Sequence, residues 1–119
     1  MSKSGHAIFL VRHGETVSNT EGRYHGRLHS PLTERGVAQA RAIGRRLRLL
    51  PDALRAAIAS SPQPRAQRTA ELIRECLGER AMQVQLDERL CEVSIGRWEG
   101  LCEAEIAAVA PGRFEGAGR

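Results

Sequence analysis

Short apolar runs alternate along the chain with longer stretches in which apolar residues recur at helical spacing. Residues 7–11 (AIFLV) form a continuous apolar run of strand length, which is typical of a parallel strand buried on both faces. Residues 54–60 predict a second short strand, and residues 84–86 predict a weak third one. A helical pattern separates each run from the next, so the chain predicts an α/β fold with a mostly parallel sheet.

The first helical pattern begins at Thr33, whose hydroxyl suits an N-cap, with Glu34 in the first turn. Pro51 is expected to end this helix. Its inward positions are Val37, Ala40, Ile43, Leu47 and Leu50.

A second helix is predicted from near Arg65 to Gly78, a residue type favoured just beyond a helix C-terminus. A third, short helix is predicted over residues 102–110, and residues 20–31 are expected to form a loop. The inward positions of the second helix are Ala66, Ala70, Ile73 and Leu77.

The composition is that of one ordinary globular domain, with 119 residues of which 41% are hydrophobic and 27% charged. No apolar run reaches the roughly 18 residues of a membrane span, and the N-terminus has no signal-peptide pattern. Three cysteines in no disulfide or metal spacing favour a cytoplasmic protein with its thiols in the core. We therefore expect no membrane partner.

The chain is basic, with a formal net charge of +4, and all but one of its 18 basic residues are arginine. Binding to nucleic acid is one interpretation of this charge. The arginines are scattered among 14 acidic residues without interleaved aromatics, so we expect no nucleic-acid partner. A charged surface with a separate anion-binding site is the better interpretation.

Two polar clusters follow the first two predicted strands. Arg12, His13 and Gly14 come after the first strand, and Ser61 and Arg65 come after the second. In parallel sheets, ligands bind beyond the carboxyl ends of the strands. Arginine offers a planar fork for phosphate oxygens, a neutral histidine nitrogen is a good nucleophile, and a glycine allows the backbone to approach a ligand closely. This pattern favours a phosphoryl site, although a structural histidine with solvated arginines remains open at this point.

The amino-acid sequence of these clusters resembles the motifs of the histidine phosphatase superfamily (phosphoglycerate-mutase-like). Four blocks occur in that family's order between residue 7 and about residue 112. They are residues 10–16 (LVRHGET) with Asn19; residues 30–33 (SPLT) with Gly36, Gln39 and Ala40; residues 60–62 (SSP) with residues 65–70 (RAQRTA); and residues 89–92 (RLCE) with residues 96–101 (GRWEGL).

The resemblance implies phosphate monoester hydrolysis through a phosphohistidine at His13, in a three-layer α/β/α phosphoglycerate-mutase-like fold. By the same resemblance, Arg12 and Arg65 bind the phosphoryl oxygens, and Glu92 is the acid that protonates the leaving oxygen. The implied substrate is a small phosphorylated molecule, and no cofactor or metal is expected.

Three further residues match substrate-contacting positions of the family, namely Asn19, His25 and Gly26. The stretch of residues 21–28 (EGRYHGRL) followed by SPLT looks more like the small phosphatases than the glycolytic mutases. Mutase-type phosphoryl transfer and a non-catalytic phosphate-binding module are the alternatives.

Two competing motifs are weak. Cys91 and Arg97 have the spacing of cysteine-dependent phosphatases, but so many arginines make chance matches common. His25 and His29 lie four residues apart, but no third metal ligand is evident.

The family's second catalytic histidine is missing, because no histidine follows His29. Residues 1–119 are thus expected to be the N-terminal part of an incomplete histidine phosphatase domain. In the family, the strand bearing that histidine lies between the first and second strands. We therefore expect unpaired sheet edges, poor activity of the isolated chain, and homo-oligomers that form through those edges.

Overall fold

The structure is a computed structural model, and it describes residues 7–26, 29–91, 97 and 99–109. A parallel pair of short strands packs with two longer helices, and three short helices complete the described part. In chain order the elements are α1 (Val17–Thr20), α2 (Glu34–Arg48), α3 (Pro51–Leu54), β1 (Ile58–Ser60), α4 (Pro64–Leu77), β2 (Val84–Leu86), a 3₁₀ turn (Glu88–Leu90) and α5 (Glu103–Val109).

Helix α2 begins where the sequence predicts. The Thr33 hydroxyl accepts a hydrogen bond from the Gly36 N–H at 3.0 Å, and arginines fill the last turn, where they complement the helix dipole. The predicted C-terminus is wrong by two residues, because α2 already ends at Arg48. Pro51 instead begins α3, since proline is well tolerated in a first helical turn, and Leu50 is an exposed N-cap residue rather than an inward one.

Helix α4 supplies half of the buried hydrophobic residues among the described ones. Ile73 and Leu77 are buried together with Ala81, and Gly78 ends the helix with a φ of +91°. Arg65 and Thr69 are buried on the same helix, whereas Ala66 is only half-buried. The half-buried side chains that pack against this core are Ile43, Leu47, Leu54 and Ile58.

The two long helices cross closely at Gly44. A Cβ at this position would lie 2.7 Å from the Cβ of Cys76, so only a glycine fits.

The prediction that the cysteines are core residues is wrong, because Cys76, Cys91 and Cys102 are free thiols that are each half-buried. Their positions at a helix crossing and in loops leave part of each thiol in contact with solvent.

The sheet within the described residues has two strands. β1 and β2 run parallel, with Ile58 opposite Val84, and the predicted third strand matches β2. The predicted second strand was too long at its start, because Leu54 ends α3. The alanines between α3 and β1 are weak strand formers.

Residues 7–11 form no β-ladder, so the predicted first strand is wrong for the structure described. The side chains of Ile8 and Leu10 are 81% and 94% exposed. A strand is stable only beside a hydrogen-bonding neighbour, and no other described segment forms β-pairs with this run. Self-association through such edges stays a prediction.

None of the helices in the described ranges is long and apolar enough to cross a membrane.

Candidate active site

The segment that carries His13 lies between α2 and α4. The Gly14 N–H donates to the hydroxyl of Thr69 on α4 at 3.1 Å, and this hydroxyl donates to the Arg65 carbonyl at 2.8 Å. On the other side, the Glu15 N–H donates to Oε1 of Gln39 on α2 at 2.9 Å. The backbone on both sides of Gly14 is therefore held by a side chain from a different helix.

Two glycines allow this close fit. A Cβ on Gly14 would lie 2.3 Å from the Gly36 carbonyl oxygen, and a Cβ on Gly36 would lie 2.1 Å from the Glu15 carbonyl oxygen. Gly14 was expected to let the backbone approach a ligand. In the structure, the close approach is to the first turn of α2.

The ring of His13 is oriented by its own neighbour. Its Nδ1 lies 2.8 Å from the Gly14 carbonyl oxygen. A carbonyl can only accept a hydrogen bond, so Nδ1 must carry the proton. In the neutral ring Nε2 then carries the lone pair, and it is the nitrogen able to attack an electrophile.

His25 lies against His13 and the start of α1. The two imidazole rings meet edge to face, with centroids 5.5 Å apart and an interplanar angle of 80°. A hydrogen bond of 2.6 Å joins His25 Nε2 to the hydroxyl of Thr16, which is fully buried.

The pKa of His25 is lowered from 6.5 to about 4, first by burial and then by electrostatic repulsion between its protonated form and Arg65, His13 and Arg12. His25 is therefore neutral near pH 7. His13 and His25 are in ring contact, and the electrostatic effects on His25 indicate that Arg65 and Arg12 lie near enough to act on it.

Arg65 joins this region to the loop that carries His25. It is 4% exposed, and its Nη2 donates to the Gly26 carbonyl at 2.9 Å and to the Gln63 Oε1 at 3.2 Å. The Gln63 amide donates to the same Gly26 carbonyl at 3.2 Å. Gly26 is buried with a φ of +51°, a backbone conformation that favours glycine.

Asn19 has a structural partner that the sequence analysis missed. Its Oδ1 accepts from the Thr16 N–H at 3.0 Å, and its own N–H donates to the Thr16 hydroxyl at 3.2 Å. This reciprocal pair caps α1. A threonine followed three residues later by a polar amide is a capping-box signal that could have predicted this helix. A phosphate contact from Asn19 would have to use its Nδ2.

A second unpredicted anchor joins the His25 loop to α5. The backbone N–H of Tyr24 donates to the Leu101 carbonyl at 2.9 Å, and the Tyr24 carbonyl oxygen accepts from the Gly100 N–H at 2.8 Å. The Arg23 guanidinium donates to the Gly100 carbonyl at 2.7 Å and pairs with the carboxylate of Glu105.

Two predicted site residues remain. Arg12 is exposed, and Glu92 lies outside the described residues, so the role of Glu92 stays a prediction.

The lowered pKa of His25 predicts a loss of stability in acid. Between about pH 6.5 and pH 4 the unfolded chain binds a proton at this residue, while the folded chain resists it. The free energy of unfolding should therefore fall as the pH drops through this window. Urea melts at pH 7.5 and pH 4.5 measure the difference.

The matched variants for this melt are His25→Gln and His29→Gln. His29 is exposed, so its replacement should leave the acid sensitivity as it is. The change at His25 should reduce the sensitivity. An equal response of both variants to pH would show that His25 is not its source.

The arrangement described above is an α/β frame with a histidine and arginines gathered beside its helices. The model of the histidine phosphatase superfamily (branch 1) matches residues 8–118. The chain belongs to this superfamily.

Similar proteins include phosphatases and mutases. The chain is 38% identical over 109 residues to glucosyl-3-phosphoglycerate phosphatase of Mycobacterium tuberculosis, covering 88% of this chain and 44% of that protein. It is 39% identical over 101 residues to 2,3-bisphosphoglycerate-dependent phosphoglycerate mutase 2 of Gloeobacter violaceus, covering 85% and 45%.

Among solved structures, Bacillus stearothermophilus YhfR matches with a TM-score of 0.77 and 42% identity, covering 87% of this chain and 48% of that one. The predicted phosphoglycerate-mutase-like α/β fold is thereby confirmed. The chain spans less than half the length of these three proteins.

Proposed function

We propose that this chain is the N-terminal part of a phosphatase domain that hydrolyses phosphate monoesters through a phosphohistidine at His13. The hydrogen bond from His13 Nδ1 to the Gly14 carbonyl supports this proposal most directly, because it leaves the lone pair on Nε2. The guanidinium groups of Arg12 and Arg65, which both act to lower the pKa of His25, supply the positive charge that a phosphoryl group needs.

In the first step, the lone pair of Nε2 forms an N–P bond while the P–O bond of the ester breaks. Arg12 and Arg65 compensate the charge on the phosphoryl oxygens. The leaving oxygen takes its proton from a carboxylic acid, for which Glu92 is the candidate by family resemblance.

In the second step, a water oxygen attacks the phosphorus and the N–P bond breaks. The proton of that water passes to the carboxylate formed in the first step, and the lone pair returns to Nε2. The products are the alcohol and inorganic phosphate. This cycle needs no metal, so a chelator should leave it unchanged.

The proposed substrate class is a small phosphate monoester. The relatives carry both phosphatase and mutase names. Residues 21–28 and the SPLT block favour the phosphatases, while mutase-type transfer and a non-catalytic phosphate-binding module remain the second candidates. Three free thiols favour the cytoplasm as the location of the protein.

Covalent labelling tests the nucleophile. Incubation with a phosphodonor such as acetyl phosphate should place on His13 a phosphate that is labile in acid and stable in base, found by mass spectrometry. His13→Ala should lose the label, and His29→Ala, which changes an exposed histidine, should keep it. Label on a serine or cysteine and none on His13 would contradict the assignment. A second assay measures the hydrolysis of a generic aryl phosphate. Hydrolysis that is lost in His13→Ala indicates an enzyme, and no hydrolysis indicates a non-catalytic binding module.

A further inference from the structure

One peptide group connects His13 to α2. The carbonyl of the Gly14–Glu15 peptide accepts from His13 Nδ1 at 2.8 Å, and the N–H of the same peptide donates to Gln39 Oε1 at 2.9 Å. A trans peptide is planar, with its C=O and N–H pointing in opposite directions. Whatever holds the N–H therefore also sets the direction of the carbonyl.

The peptide is restrained from α2 at further points. The Thr33 N–H donates to the Glu15 carbonyl at 2.9 Å, and the Thr33 hydroxyl donates to the Glu15 carboxylate at 2.9 Å. Gly36 brings the first turn of α2 against the same residue. Gln39 follows one turn later and is half-buried, so its amide is carried by a segment already fixed to Glu15.

The orientation of the Gln39 amide follows from its partner. The Glu15 N–H is a donor, so it needs the amide oxygen and not the NH₂ group. A row of hydrogen bonds then runs from His13 Nδ1–H through the peptide to the Gln39 oxygen. Hydrogen bonds in such a row polarise one another, which makes the Gly14 carbonyl a stronger acceptor.

We infer that Gln39 is a positioning residue for His13, acting through the Gly14–Glu15 peptide to keep the ring proton on Nδ1 and Nε2 available for phosphoryl transfer. This inference rests on the proposed function. Attack by Nε2 puts positive charge on the ring, and the oriented Gly14 carbonyl stabilises that charge. Gln39 itself contacts neither the ring nor, in this mechanism, the phosphoryl group.

The test compares Gln39→Met and Gln39→Asn with Gln39→Glu in the full 119-residue chain. Methionine lacks the acceptor oxygen, and asparagine is one methylene too short to keep it in place. Glutamate retains an acceptor at the same distance. Gln67→Met is the matched control, since Gln67 is a half-buried glutamine on α4 with no place in this row.

The first readout is the tautomer of His13, obtained from the ¹⁵N chemical shifts of its ring at neutral pH. Wild type, Gln39→Glu and Gln67→Met should carry the proton on Nδ1. Gln39→Met and Gln39→Asn should show a mixture with protonated Nε2. The second readout is the rate of His13 labelling, which should fall roughly 10- to 100-fold in the same two variants, by analogy with the loss of a group that orients a metal-bound histidine. Affinity for inorganic phosphate should not change.

Unchanged tautomer and labelling rate in Gln39→Met and Gln39→Asn would overturn the inference, even if His13 of wild type takes the label. Absence of label on His13 in wild type would instead overturn the proposed nucleophile, while the tautomer comparison still decides the role of Gln39. If one variant fails to fold, the other carries the test.

Discussion

Gly36→Ala is expected to lower the free energy of unfolding by about 3 kcal/mol or more. The added methyl group would lie 2.1 Å from the Glu15 carbonyl oxygen and 2.8 Å from the Glu15 nitrogen. Both are backbone atoms, so no side-chain rotation relieves the overlap. Helix propensity alone predicts the opposite sign, a gain of about 1 kcal/mol for alanine over glycine.

Urea or thermal unfolding followed by circular dichroism measures this effect. Ala38→Gly, at an exposed position of the same helix, is the control and should cost about 1 kcal/mol, which is the ordinary propensity difference. A Gly36→Ala variant as stable as wild type would mean that the His13 segment does not lie against the first turn of α2.

Arg65→Ala is expected to weaken the binding of inorganic phosphate by about 2 kcal/mol, or roughly 30-fold in Kd. The proposed contact is a charge-assisted fork to the phosphoryl oxygens. Burial of Arg65 and its bonds to Gly26 and Gln63 fix the direction of its guanidinium. Less of the binding energy is then spent on ordering the side chain.

Isothermal titration with phosphate at fixed ionic strength checks the prediction. Arg68→Ala is the control, because Arg68 is exposed and lies one turn further along α4. Arg65→Lys keeps the charge but not the fork, so its affinity should lie between the other two. Equal affinities of Arg65→Ala and Arg68→Ala would remove Arg65 from the site.

The elements that periodicity located best are those whose signals are local. Thr33 accepts the hydrogen bond of an N-cap, Gly78 adopts the positive φ of a helix end, and β2 matches its predicted range. Each depends on a few neighbouring residues. The capping box of α1 is equally local, but the sequence analysis assigned Asn19 only to a family motif and predicted no helix there.

In the candidate site, too, the sequence located some features and left others to the tertiary structure. The positions of His13 and Arg65 at the ends of predicted elements led to the expectation that they converge, and both influence His25 in the structure. Gln39 and Thr69 fall within the family's motif blocks, but the sequence did not show which groups their side chains hold. Their roles depend on a backbone segment that is 24 residues away in one case and 55 in the other.

The sequence by itself determined the class of fold, the family and the candidate nucleophile His13, because these are written in short motifs and in local periodicity. Only the tertiary structure decided that residues 7–11 lack a described strand partner, that Gly14 packs on Gly36, and that Gln39 supports the peptide behind His13. A ladder, a backbone contact and a row of hydrogen bonds each need a second segment. The spacing of residues along one segment does not specify which other segment that will be.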